Sequence, residues 1–356
     1  MLPSPRQNDG RHPVTTASAP ISGMTAASLE GISVALATYN GKRFIGEQLE
    51  SILSQSILPR EIVVSDDAST DGTLDVIEKT LGDFEKKAGN MSNISVHIIA
   101  GKDNIGVVQN FNRALAHCSM PLIALCDQDD IWLPNKLDVM SRHMAQNPHL
   151  RLLHSNALLV DEIGTPESAT LFDVLRIRQS ELRDERAGMA YRALLRRNTI
   201  TGAGTMIRKD LLALAAPFPT TWLHDEWLGI VAALRSELNV IQDPLFSYRQ
   251  HSANQVGARR RSLKDALQLI EGSQPTRSQK NFARARDLHQ RSSEWALPDS
   301  KSELVEMKYL FELARANYSP SRLRRVIPIT RQLIRGRYFA FSRGWRAVML
   351  DLFERR

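Results

Sequence analysis

The sequence predicts an α/β protein: a mostly parallel sheet flanked by helices, followed by a helical, basic C-terminal region. Three observations carry this. Short apolar runs alternate with helix-patterned segments from Ile32 to Val160, which implies βαβ units and a sheet covered on both faces. Polar clusters follow directly on those runs, at the strand ends where open parallel sheets bind ligands. Charge is also divided along the chain: residues 251–356 hold 22 Lys and Arg against 10 Asp and Glu, whereas residues 1–250 hold 24 against 29.

The elements follow in order. Residues 1–30 are rich in Pro, Ser, Thr and Ala and lack a signal-peptide core, so a disordered tail is expected. Ile32–Ala37 reads as a buried strand. Phe44–Ser56 places Ile45, Leu49, Ile52 and Leu53 at helical spacing, and Pro59 closes that unit. Ile62–Val64 is the next strand. Thr73–Leu81 reads as a helix that Thr70 or Asp71 can cap. Ile94–Ile99 is a strand, Val107–His117 a helix, and Leu122–Cys126 a strand that ends on Asp127. A helix begins near Pro134 and runs to about Gln146. Leu152–Val160 is a further strand, 161–200 polar helix or loop, and Gly202–Ile207 a strand entered through glycines. A helix from His224 to Leu234 follows, and only helical, basic segments are expected beyond about 257.

Composition sets limits. A hydrophobic fraction of 42% and a charged fraction of 24% exclude a chain disordered throughout. No run of about 18 apolar residues exists, so no transmembrane helix is expected. Cys118 and Cys126 are too few for a disulfide scaffold or a four-ligand zinc site. A reduced, cytoplasmic chain is the expectation.

The chemistry-bearing residues sit at strand ends. Asp127 and Asp129 present two carboxylates one residue apart after a buried strand. Their oxygens suit hard Mg²⁺ or Mn²⁺, although an acidic turn capping the next helix gives the same pattern. Asp66 and Asp67 can accept from a pyrimidine imide or a ribose hydroxyl, or cap the following helix. In His224-Asp225-Glu226, a carboxylate at a helix N-terminus stays ionised and can act as a base, or can simply cap. Arg249 or His251 can contact a diphosphate, and His251 can complete a metal shell. Neither a G-x-G-x-x-G nor a P-loop pattern is present, which counts against dinucleotide and P-loop sites.

Taken together, Ser33–Gly41, Gln48–Ser56, Glu61–Thr73 and Ala124–Trp132 resemble the family 2 glycosyltransferases, inverting enzymes of the GT-A fold. Cys126–Trp132, His224–Trp227 and Tyr248–Gly257, with the ending Arg335–Phe339 and Ser342–Trp345, look like its bacterial rhamnosyltransferase-type members. The resemblance implies a catalytic domain over 31–257 and a helical basic region over 258–356. It implies that Thr38, Tyr39 and Asp66 hold the nucleotide base and ribose, with Asn40 and Asp67 beside them and Arg113 near. Asp127 and Asp129 would bind the metal, Mg²⁺ or Mn²⁺, and Asp127 would also border the donor. Asp225 matches the general base, with Glu226 a competitor, because His224 stands before Asp225 in place of the commoner Glu and Glu226 stands after it where an aromatic pair is often seen. Glu226, Arg249 and His251 would face the diphosphate or acceptor. The implied activity is sugar transfer (the hexosyltransferase class) from a nucleotide diphosphate to a glycan or lipid-linked acceptor in surface polysaccharide synthesis. The Gln-x-x-Arg-Trp motif of the processive synthases is absent.

Ser321–Arg356 holds ten Arg and no Lys among apolar and aromatic residues. That composition suits a helix lying on an anionic membrane, at the cytoplasmic face where a lipid-linked acceptor would be, or an appendage packed on the catalytic domain. No nucleic-acid-binding motif accompanies the charge. The competing functions are a sugar-phosphate nucleotidyltransferase and a sugar-nucleotide-binding module without turnover.

Overall fold

The structure, a computed structural model, describes residues 31–88, 93–251 and 276–354. The expected N-terminal tail, the stretch Ser252–Gly257 and the boundary near 257 lie outside the described residues. The first half alternates as expected: β1 (Ile32–Thr38), α1 (Ile45–Leu53), β2 (Glu61–Asp66), α2 (Thr73–Ala88), β3 (Ser95–Ala100), α3 (Val107–His117) and β4 (Leu122–Cys126). These four strands pair in parallel in the order β3-β2-β1-β4. Every residue of β1, β2 and β4 is buried, as covering both faces requires.

Side-chain alternation along the strands builds two cores. Val34, Leu36, Ile62, Val64 and Ala124 face α1, whose Ile45, Leu49 and Ile52 form its buried stripe. Ala35, Val63, Ile123 and Leu125 face the other way, against Phe111, Ala114 and Leu115 of α3.

The second half is mixed. β5 (Ile131–Trp132) and α4 (Lys136–Gln146) lead to β6 (Leu152–Val160) and β7 (Pro166–Thr170). Short helices α5 (Leu171–Val174), α6 (Gln179–Arg186) and α7 (Tyr191–Leu194) occupy the polar 161–200 stretch. The full order is β3-β2-β1-β4-β8-β6-β9-β5, with β7 on β6. Here β8 is Thr205–Arg208 and β9 is Leu238–Arg249, while α8 (Asp210–Ala215) and α9 (His224–Leu234) lie between them. β8 runs antiparallel to both β4 and β6, and β9 runs parallel to β6. The sheet is therefore parallel only over its first half.

One expectation is corrected in this half, and one strand is added. Gly202–Gly204 forms a 3-10 turn, and the strand starts at Thr205. A Cβ on Gly204 would stand 2.9 Å from the Ser155 carbonyl, so the chain passes too close there for a side chain. The short apolar stretch around Pro244 is part of the twelve-residue β9, whose register against β6 shifts beside Pro244, a residue with no N–H to donate.

The C-terminal helices are α10 (Arg277–Ser292), α11 (Asp299–Ala316), α12 (Arg322–Ile334), α13 (Arg337–Phe341) and α14 (Trp345–Phe353). They continue the second core: Leu288, Trp295, Phe311, Tyr338 and Val348 cluster with Trp227 and the sheet residues. Helix α9 lies between, with every residue but Glu226 buried, the mark of a helix that meets no water on any side. Among the described residues no helix is long and apolar enough to cross a membrane. Cys118 and Cys126 are buried free thiols.

Buried charges tie the C-terminal helices together. The Arg315 guanidinium donates to both oxygens of Asp351 at 2.6 and 2.7 Å and to Glu312 at 2.7 Å. The Tyr338 hydroxyl donates to Asp351 at 2.8 Å. Breaking such a pair from one side strands the remaining charge. Asp351→Ala is expected to destabilise the fold by about 3–5 kcal/mol. In urea unfolding this appears as a lower midpoint with an unchanged slope.

Candidate active site

Because β1, β2 and β4 are parallel, with Thr38 level with Asp66 and Leu36 with Cys126, their carboxyl ends open on one side of the sheet. The first polar group gathers at β1 and β2. Gln128 crosses from the end of β4 to β1: its Oε1 accepts from the Thr38 hydroxyl at 2.7 Å and from the Tyr39 N–H at 2.8 Å. Asn40 sits at φ 47°, a left-handed conformation that Asn tolerates. It is tied to the next loop, its Oδ1 accepting from the Thr70 N–H at 3.0 Å. Asp66 accepts from the Ser69 N–H and hydroxyl at 2.9 and 2.5 Å.

Asp67 holds a different loop. One oxygen accepts from the Ile105 N–H at 2.9 Å and the other from the Gly106 N–H at 2.8 Å. Arg113 braces the same strand end, donating to the Ser65 hydroxyl at 2.7 Å and the Asp66 carbonyl at 2.6 Å. Asp67 and Arg113, expected at the nucleotide, are thus engaged with the protein's own loops. Tyr39, 37% exposed, and Asn40 are the exposed members of this group.

The second group is acidic. Asp127 and Asp129 are half-buried and Asp130 is buried. The Asp127 carboxyl is pushed up to about 7, by burial first and then by the charges of Asp129 and Asp225. Asp130 is raised well above the carboxylate range by burial and then by the charges of Asp129 and Asp127. Its Oδ1 accepts from the Arg249 N–H at 3.1 Å, and its Oδ2 has no partner among the described residues. His251 Nε2 lies 2.8 Å from Asp129 Oδ2, and Phe44 packs against its ring at 4.7 Å.

Arg249 is buried, its guanidinium paired with Glu47 and donating to the backbone carbonyls of Asp129 at 2.9 Å and Glu162 at 3.1 Å. This residue, expected at the diphosphate or acceptor, holds the Asp129 loop to β9 and α1.

Asp225 opens α9. Its Oδ2 accepts from the Gly202 N–H at 2.9 Å and its Oδ1 from the Glu226 N–H at 2.7 Å. Burial raises its carboxyl to about 6, against those hydrogen bonds and the charge of Arg284. Glu226 is ion-paired with Arg284 of α10. The two candidates for the base therefore differ: Glu226 has a cationic partner, and Asp225 has only N–H donors. His224 stacks on Phe111 at 3.8 Å between ring centroids. Burial pushes its imidazole down to about 3, and neither ring nitrogen has a hydrogen-bond partner among the described residues.

Sequence reasoning missed three contributors. Gln128 lies inside the quoted motif but shows its bridging role only in three dimensions. Glu47 lies on a helix 202 positions before its partner Arg249. Lys136 is fully buried beneath the acidic loop, bonded to the Ala203 carbonyl and 3.9 Å above the Trp132 ring. Its ammonium faces Asp127 and Asp130, and burial lowers it to about 7.

The donor set suits a hard divalent cation. Asp127, Asp129, Asp130 and Asp225 bring four carboxyls to one place above Lys136, and burial first, then neighbouring carboxylates, raises Asp127 and Asp130. Among the described residues, no three His, Cys, Asp or Glu side chains are gathered closely enough to enclose an ion as they stand.

Residues 33–208 match the sequence profile of glycosyl transferase family 2. The chain carries a glycosyl transferase family 2 domain. The chain is similar to the dTDP-rhamnosyl transferase RfbG of Shigella flexneri, with 29% identity over 238 residues, 63% of this chain and 74% of that one. Similarity to EpsE of Bacillus subtilis reaches 31% over 133 residues, 37% of this chain. The chain spans 45% of EpsE's length. Among solved structures, the chain is similar to S. aureus TarS in complex with UDP-GlcNAc, with 19% identity, coverage of 91% and 89%, and a TM-score of 0.49.

The Asp67 contacts generate a prediction. Asp67→Ala removes the acceptor for two adjacent N–H groups, each bond to a charged acceptor contributing roughly 1.5–3 kcal/mol. Faster amide hydrogen exchange at Ile105 and Gly106 is the expected result, with the amides of β1 and β4 still protected.

Proposed function

We propose that this family 2 domain moves a sugar from a nucleotide diphosphate donor to a hydroxyl of a glycan or lipid-linked acceptor, inverting the anomeric carbon, in bacterial surface polysaccharide synthesis. The observation that carries the reading is the meeting of Asp127 and Asp129, from the end of β4, with Asp225, from the start of α9, close enough to raise the Asp127 carboxyl. The name of the relative RfbG supports rhamnose as the sugar. In this reading residues 31–257 form the catalytic part and 258–356 a helical basic part, and the acceptor is met at the cytoplasmic face of the membrane.

The assigned steps use this chain's own groups. Thr38, Tyr39 and Asp66 border the base and ribose, with Asn40, Asp67 and Arg113 shaping their loops. Asp225 takes the acceptor's hydroxyl proton as that oxygen bonds to the anomeric carbon. The bond from that carbon to the diphosphate breaks at the same time, and the diphosphate leaves with the electron pair. Asp225 is preferred to Glu226 because Glu226 is engaged in an ion pair with Arg284, whereas the Asp225 oxygens accept from backbone N–H groups. Asp127, Asp129 and His251 would hold Mg²⁺ or Mn²⁺, which when bound neutralises charge on the departing diphosphate.

A donor panel containing dTDP-rhamnose, UDP-sugars and GDP-sugars tests the proposal, read by nucleoside diphosphate release with and without EDTA. Release from one donor, lost with EDTA and in Asp129→Ala, is expected. The absence of both release and calorimetric donor binding across the panel would overturn the reading. Asp225→Asn is expected to lower kcat by roughly 10²–10⁴-fold, the usual contribution of a general base, with donor binding retained.

A pH profile checks the base separately. Asp225 accepts a proton only when ionised, and its carboxyl is raised to about 6. The rate should hold above that pH and fall about tenfold per unit below it. A profile flat down to pH 5 would remove Asp225 from the role.

A further inference from the structure

Among the described residues, nine of the fifteen large apolar side chains that are most exposed lie between Leu323 and Phe353. They are not scattered. On α12, Leu323, Ile327 and Ile334 fall at helical spacing on one face, exposed at 84%, 71% and 81%, while Arg325, Ile329 and Gln332 face inward. On α14, Met349, Leu350 and Phe353 form a second exposed stripe, opposite buried Ala347, Val348 and Asp351. Arg322 lies over the Phe353 ring at 5.5 Å, which joins the start of α12 to the end of α14. Trp345 adds an aromatic ring exposed at 63%.

The charge around these stripes has one sign. Arg322, Arg324, Arg331, Arg335 and Arg346 are exposed. The one acidic residue from 322 to 353, Asp351, is buried under Arg315. The apolar stripes cannot turn inward, because the inner faces are already fixed. Arg325 donates to the Asp351 carbonyl at 3.0 Å and to the Pro320 carbonyl at 2.9 Å.

We infer that the outer face of α12, α13 and α14 is a docking surface for an anionic phospholipid bilayer. Apolar side chains enter the acyl boundary, and the arginines meet lipid phosphates, as in helices that lie in the interface plane. A second copy of this face would set arginine against arginine, so charge complementarity favours lipid. Docking stands apart from sugar transfer. Only its use in bringing the active site to a lipid-linked acceptor rests on the glycosyltransferase reading.

The test uses the full chain with phosphatidylcholine vesicles and with vesicles of 70% phosphatidylcholine and 30% phosphatidylglycerol, in 0.1 M NaCl. Co-sedimentation with the anionic vesicles alone is expected, and it should be lost in 1 M NaCl, where the screening length is about 3 Å. Trp132, Trp222, Trp227 and Trp295 are all buried, so a blue shift of tryptophan emission on binding reports Trp345 and should vanish in Trp345→Phe. Arg331→Gln with Arg335→Gln is expected to weaken partitioning by roughly 30-fold, from the usual contribution of an arginine near an anionic surface. Ile327→Asp with Ile334→Asp should abolish it, with an unchanged thermal midpoint because both positions are exposed. Three outcomes would overturn the inference: no sedimentation with anionic vesicles, undiminished binding by the Asp variant, or a solution dimer that Ile327→Asp disperses. Donor turnover is assayed without vesicles, so the failure of one proposal is distinguishable from failure of the other.

Discussion

The enclosure of α9 is the constraint on which the rest depends. A helix with Trp227, Leu228, Ile230 and Val231 on successive faces must be covered all round, and the sheet covers only one side. Leu288 from α10 and Trp295 from the turn after it, with Trp222, close the other. Asp225 sits at the first turn of this helix, held by the Gly202 N–H. The position of one carboxylate therefore rests on packing that extends from β1 to α14. The C-terminal region is part of the wall around the site, and Arg284, which it contributes, separates Glu226 from Asp225 in character.

The acidic loop after β4 is balanced differently. Its strain is electrostatic: burial and mutual repulsion raise Asp127 and Asp130, and Lys136 beneath is the nearest compensation, itself lowered by burial. Arg249 stabilises the loop without entering it, through backbone carbonyls and Glu47. Such a loop stores unfavourable charge that a cationic group can relieve, a common property of sites that handle phosphates.

Legibility in the sequence followed the range of the interactions. β1 to β4 with α1 to α3 could be read because their signals are local: continuous apolar runs, i to i+4 spacing, and polar residues at the strand ends. Val107–His117 and Leu122–Cys126 match the structure at both ends. β9 was hidden because Pro244 and polar residues interrupt its pattern, and its register shift is set by β6. The Gly202–Gly204 turn depends on the closeness of Ser155 and Phe246, which no spacing reveals. Within the site, the residue types at strand ends could be read, but their partners could not. Asp66 and Asp67 look alike in sequence, yet one binds its own turn and the other a loop 38 residues on.

That last difference bears on how the cleft can be remodelled. Asp67 grips its loop through main-chain amides of Ile105 and Gly106, so the Ile105 side chain, 45% exposed, carries none of the anchoring. Chemistry at the rim is uncoupled from the scaffold that supports it. A library varied at Ile105 and Tyr39 would sample new rim surfaces on an unchanged frame, whereas one varied at Asp67 or Arg113 would mostly sample damaged frames.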